Sequence, residues 1–183
     1  MSECNHHNIS RRGFGTMALA ATGLAMVPFG ARAAGPVVDN WAITCMDFRL
    51  VDKAQQFLNT PSMGGPGAGQ FDHTAMAGAS LAGTSTGYFR HSQAGFWQQA
   101  VVAVELHEAK KIFVVDHLMC GAYQKEFNLR DDQLGLERMR HLQEMAKLKT
   151  SFNSRYRHVT LEFYLMAAPG TVPYPLPPER IHI

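Results

Sequence analysis

The chain has 183 residues, enough for one domain that buries its own core without disulfide support. An expected leader, described next, removes Arg11, Arg12 and Arg32 from 17 basic residues and Glu3 from 15 acidic ones, leaving 14 of each. A formally neutral mature chain is not built to grip nucleic acid or an anionic membrane by charge. The leader is the segment 1–33: Ser10-Arg11-Arg12-Gly13-Phe14, the apolar run 17–29, then Ala31-Arg32-Ala33. It reads as a twin-arginine export signal with a small-residue cleavage site. Its 13 apolar residues fall short of the ~20 that a spanning helix needs. Removal near Ala33 is therefore expected, with the twin-arginine (Tat) translocon as a partner during export, no stable membrane anchor, and a periplasmic mature domain over 34–183.

Along that domain, 37–45 with its Trp-Ala-Ile-Thr reads as a strand and 50–58 as an amphipathic helix. The Gly/Pro-rich 61–69 is a loop. It lacks the Lys-Ser/Thr that completes a phosphate-binding P-loop, so Gly64, Gly65 and Gly67 are expected to serve as a connection. A second strand is expected over 71–80, irregular chain over 83–95, and a largely apolar helix over 96–109. Ile112-Phe113-Val114-Val115 is a continuous apolar run of strand length, the mark of a central parallel strand covered on both faces. A long helix follows over 131–152, opened by Asp131-Asp132, with Met139, Leu142, Met145 or Ala146, and Phe152 on its apolar side and Arg138, Arg140, Lys147 and Lys149 on a solvated one. A final strand spans 158–168, and the Pro-rich 169–178 offers neither helix nor central strand. The order of elements predicts a single α/β domain, its mainly parallel central β-sheet flanked by helices and joined by right-handed crossovers.

Two short segments carry the chemistry. Cys45-Met46-Asp47-Phe48-Arg49 and His117-Leu118-Met119-Cys120-Gly121 supply two thiols, an imidazole, a carboxylate and a guanidinium. Zinc takes sulfur, nitrogen and carboxylate oxygen in tetrahedral sites. Cys45, His117 and Cys120 are the candidate fixed ligands, with Asp47 or a water as the fourth. Strand alternation would let Cys45 and Asp47 face one centre, with Arg49 where strand turns to helix. Of three cysteines Cys4 leaves with the leader, so a Cys45–Cys120 disulfide is the plain alternative in an oxidising compartment. It would leave the spacing of Asp47, Arg49 and His117 unexplained.

Cys-x-Asp-x-Arg followed by His-x-x-Cys-Gly resembles the signature of the β-class carbonic anhydrases, and the intervening helix and strand before His117 also look like that family's. The resemblance covers roughly 41–123. It implies a β-carbonic anhydrase-like fold, one Zn2+ per chain, and reversible hydration of carbon dioxide to bicarbonate by a zinc-bound hydroxide, with Asp47 and Arg49 as a catalytic dyad. Two thiolates and a neutral imidazole cancel the charge of zinc, so its water should be less acidic than on three histidines, and activity should rise from neutral to alkaline pH. If Arg49 holds Asp47 the fourth position is open to water; if Asp47 binds zinc the site is closed. His73, His91 and His107 are candidates for a proton relay, though an isolated histidine is more often a surface or helix-face residue. Met63, Met76, Met119, Trp41, Phe48 and Trp97 are more simply core than pocket wall.

The chain also departs from the family pattern. Ala75-Met76-Ala77-Gly78 stands where the family has Arg-Asn-Ala-Gly, and Asp116 where a glycine commonly precedes the zinc histidine. Only about eleven residues separate the expected cleavage site from Cys45, too few for the helical arm that embraces a partner subunit, so a homodimer or higher homo-oligomer would need another surface. Two alternatives stand beside carbon dioxide hydration: hydrolysis of carbonyl sulfide or carbon disulfide on the same ligands, and a non-catalytic zinc-binding structural or interaction domain.

Overall fold

Asn-Trp-Ala-Ile-Thr and Lys-Ile-Phe-Val-Val-Asp-His are apolar on both alternating faces, and such segments persist only with both faces covered. In a computed structural model that describes residues 37–170 and 175–183, they form the adjacent strands β1 (Asn40–Thr44) and β3 (Lys111–His117) near the middle of a five-stranded sheet. The sheet order is β2-β1-β3-β4-β5, where β2 is Phe71–Ala75, β4 is Thr160–Met166 and β5 is Glu179–Ile181. The first four strands are parallel, and β5 runs antiparallel to β4. The export signal assigned to 1–33 lies outside the described residues. Among the described residues, no helix is long and apolar enough to cross a membrane.

One face of the sheet carries Trp41, Ile43, Ile112, Val114, Phe163 and Leu165. These pack against α2 (Ser92–Ala100) and α4 (Leu134–Arg155) through Phe96, Ala100, Met145, Leu148 and Phe152. The other face, with Ala42, Phe113, Val115, Tyr164 and Met166, is covered by Ala54, Phe57 and Leu58 of α1 (Val51–Leu58). The result is the expected layered α/β architecture with a mainly parallel sheet. It brings the carboxyl ends of β1 and β3 side by side, the usual position of a ligand crevice in an open α/β sheet.

Several boundaries differ from the expectation, each for a local reason. β2 ends at Ala75 and not at Ser80: Gly78 (φ +75°) and Ala79 (φ +42°) turn the chain into a short 3-10 segment, Ala79–Gly83, and Ser80 bonds to Asp116. The helix expected over 96–109 starts earlier, at Ser92, and its last stretch, Val101–Leu106, is wound as a π-helix. α4 begins at Leu134, because Arg130 and Gln133 make a turn that places Asp131 and Asp132 before the helix. Met139, expected on its apolar side, is exposed; Glu137, His141 and Glu144 are buried with Met145, Leu148 and Phe152. Phe48, read as core, is 86% exposed.

Candidate metal centre

Cys45 follows the last residue of β1, His117 is the last residue of β3, and Cys120 caps the N-terminus of the short helix α3 (Gly121–Phe127). The ligand atoms these three residues offer, a sulfur from each cysteine and a ring nitrogen from His117, lie within 4.8 Å of one another. The two sulfurs are 3.9 Å apart, and both cysteines are free. A disulfide needs a separation of ~2.0 Å, whereas two sulfurs at ~2.3 Å from a tetrahedral zinc lie about 3.8 Å from each other. The spacing therefore fits a shared metal and not a bond.

The histidine gives an independent test of fit. Its Nδ1 lies 2.8 Å from the Leu118 carbonyl, which can only accept, so Nδ1 carries the proton and the Nε2 lone pair is left over. That Nε2 is buried and has no hydrogen-bond partner, an arrangement that is costly in a protein interior unless something else occupies the lone pair. A metal does so. Cys45 is prepared in the same sense: its sulfur shares a hydrogen bond with the Cys120 sulfur and accepts one from the Gly78 N–H at 3.4 Å. These contacts outweigh burial and hold the Cys45 thiol below its ordinary value, while the hydrogen bond shared with Cys45 pushes the Cys120 thiol up. Gly78 is required at its position, since a Cβ there would lie 3.0 Å from the Leu81 Cβ and 3.2 Å from the Ala122 Cβ.

Asp47 is placed beside this group by Arg49. β1 stops at Thr44, so the alternation expected to align Cys45 with Asp47 does not operate, and a turn closed by Leu50 N–H on the Asp47 carbonyl does the work. Arg49 donates to Asp47 Oδ1 from its backbone N–H (3.0 Å) and its Nε (2.9 Å), and to Oδ2 from Nη2 (2.5 Å). Nη2 also reaches the Met119 carbonyl at 3.0 Å, tying the two motifs together. Arg49 holds the Asp47 carboxyl down at about 2, against the opposing effect of burial. Asp47 Oδ2 is 3.8 Å from His117 Nε2.

The three relay candidates sit in different surroundings. His73 bonds Thr44 Oγ1 at 2.8 Å and pairs in register with Ala42, whose side chain packs against α1. His107 pairs with Asp72 at 2.7 Å, and its carbonyl accepts from Val38 N–H, before β1 begins and so at the opposite end of the strands from the cysteines. His91 immediately precedes α2 and is exposed. Met63 and Met76 pack against the two sheet-face cores, as gap-filling methionines do.

The support behind the ligands is not apparent from sequence. Asp116, fully buried, accepts from Ser80 N–H (3.0 Å), Ser80 Oγ (2.5 Å), Tyr123 OH (3.1 Å) and His141 Nδ1 (2.8 Å). Glu137 accepts from the Met119 and Cys120 N–H groups at 3.1 and 2.7 Å. The one available signal is Asp116 itself, a charge at the end of an apolar strand.

No family model matches the chain. An uncharacterized protein of Rickettsia conorii is 26% identical over 140 residues, covering 71% of this chain and 68% of its own. One from Rickettsia bellii is also 26% identical, over 133 residues, covering 71% of this chain and 77% of its own. Among solved structures, the β-carbonic anhydrase CafA of Aspergillus fumigatus aligns over 81% of this chain and 77% of its own, with a TM-score of 0.50 and 11% identity. The fold is that of the β-carbonic anhydrases. Within that fold, the Cys45, His117 and Cys120 cluster stands at the carboxyl ends of the central strands and is compatible with a bound metal.

Proposed function

We propose that this chain is a zinc-dependent enzyme interconverting carbon dioxide and bicarbonate, exported by the twin-arginine route to the periplasm. The observation that carries the reading is the convergence of Cys45 Sγ, Cys120 Sγ and the unpartnered His117 Nε2 beside an Asp47 carboxylate locked by Arg49. Cys45, His117 and Cys120 would hold the metal, whose contribution is Lewis-acid activation of water.

The chain's own residues supply the rest. With both oxygens engaged by Arg49, Asp47 stays ionised and is restrained from joining the metal, which keeps one position free for water. Its remaining lone pairs accept a hydrogen bond from the attacking water, turning that water's own lone pair toward the carbon of carbon dioxide. The proton lost on forming bicarbonate passes to solvent.

The test is metal analysis of protein purified without added metal, followed by stopped-flow hydration assays with carbonyl sulfide as a second substrate. Close to one zinc per chain, with hydration abolished in Asp47→Ala while zinc is kept, is the expected result. Zinc-loaded protein inert toward both substrates would favour a structural role for the metal, and turnover of carbonyl sulfide alone would reassign the substrate.

A further inference from the structure

Helix α4 turns Glu137, His141 and Glu144 into the protein at 1%, 0% and 2% exposure, where the pattern of an amphipathic helix calls for apolar residues. Buried carboxylates are costly unless hydrogen-bonded or paired, so their partners show what they are for. Glu144 is paired outward with Lys147, at 2.6 Å. Glu137 points the other way. Its two oxygens each take a backbone N–H of the ligand loop, Oε1 that of Cys120 and Oε2 that of Met119. His141 stands behind it, with Nε2 3.7 Å from Glu137 Oε1 and Nδ1 2.8 Å from Asp116 Oδ2. Asp116 is covalently joined to His117. A chain of buried groups thus runs from Cys120 through Glu137, His141 and Asp116 to His117, hydrogen-bonded except for the 3.7 Å charge contact between Glu137 and His141.

The residue between the ligands shows that this chain of groups bears on conformation. Met119 has φ +56°, a left-handed conformation that a non-glycine residue keeps only when its surroundings impose it. Its N–H is held by Glu137 and its carbonyl by Arg49, so its peptide groups are gripped from both sides. We propose that Glu137 is a positioning residue of the metal centre, clamping the Met119 and Cys120 amides, with His141 and Asp116 as its brace, so that Cys120 Sγ and His117 Nε2 are preset for a metal. This rests on the reading of Cys45, His117 and Cys120 as metal ligands.

The experiment compares wild type with Glu137→Gln, Glu137→Asp and, as a control equally buried on the same helix, Glu144→Gln. Amide hydrogen exchange at Met119 and Cys120 is measured on metal-free protein, and zinc release to a chelator and the cobalt(II) absorption spectrum on loaded protein. An amide in place of the Glu137 carboxylate presents a donor to one of the two backbone donors, so Glu137→Gln should lose protection at Met119 and Cys120. It should also release zinc about 10- to 100-fold faster and shift the cobalt bands. Glu137→Asp, charged but one methylene short, should show the same changes at smaller size, and keeps the test alive if the Gln variant does not fold. Wild-type exchange at both amides in the Glu137 variants, or equal effects in Glu144→Gln, would overturn the proposal. If wild type binds neither zinc nor cobalt, the metal reading fails, and the exchange comparison alone decides the clamp.

Discussion

Replacing Asp116 with Asn tests the buried support most directly, because it keeps the shape of the side chain and removes only its charge and one acceptor. Four hydrogen bonds end on the Asp116 carboxylate; the Ser80 N–H on Oδ1 cannot reverse, and His141 Nδ1 on Oδ2 can do so only by giving up its proton. The amide NH2 of Asn must face one of these, so it either opposes the Ser80 N–H or forces His141 to its neutral form, and in both cases it deprives His141 of its carboxylate. Burial works against a charge on His141, but Asp116 first and then Glu137 raise its pKa, so the imidazole is held toward its charged form by the group being removed. Breaking one side of a buried pair costs about 3–5 kcal/mol. With a urea m-value of about 2 kcal/mol/M, the midpoint should fall by about 1.5–2.5 M. Ser80→Ala removes the Ser80 Oγ hydrogen bonds with Asp116 and Tyr123 while leaving the charge in place, and should cost less, about 1.5–3 kcal/mol. Urea unfolding followed by circular dichroism at pH 7 measures both. An Asp116→Asn midpoint within about 0.5 M of wild type, with a native spectrum, would refute the argument that this carboxylate is obligatory.

Cys45→Ser, His117→Ala and Cys120→Ser should each reduce zinc from about one per chain to near zero and lower the melting temperature, because metal binding is coupled to folding; elemental analysis and calorimetry check this. Arg49→Ala should keep the metal but lower hydration kcat/KM by about 100-fold, or ~2.7 kcal/mol of transition-state stabilisation, and a loss below about threefold would show that Asp47 needs no restraint. Glu126 lies among the Ser85 hydroxyl and the Gly87 and Phe89 N–H groups, which lower its pKa in spite of burial. A depressed carboxyl stabilises fully above its unfolded value of 4.5, and that stabilisation is lost as pH falls through the lower folded value. Glu126→Gln should therefore be about 1–2 kcal/mol less stable than wild type at neutral pH, with the gap narrowing in acid on urea titration at a series of pH values. Changing Arg11 and Arg12 to Lys should strand the precursor in the cytoplasm, read by immunoblot of cell fractions, and normal delivery of that variant would refute the export assignment.

The cluster of Cys45, His117 and Cys120 is legible in the sequence because its chemistry is local. Thiol and imidazole donors at short spacing, each at the end of an apolar segment that must lie inside a sheet, leave few other uses for Cys45, His117 and Cys120. The buried strand over 112–115 is legible for a related reason, since an uninterrupted apolar run needs cover on both faces. Local periodicity also says which residues share a face of an element, but not what that face meets. Glu137, His141 and Glu144 lie on the buried face of α4 along with Met145, Leu148 and Phe152, and only the fold sets Glu137 against two amides 17 and 18 residues back in the chain. The same holds for Asp116, whose donors Ser80 and His141 lie 36 positions before it and 25 after. Phe48 and Met139 show the converse, apolar residues left exposed because the elements that carry them turn another face inward. A side chain's chemistry is intrinsic to it, whereas its burial and its partners are properties of contacts between distant segments, which tertiary packing alone decides.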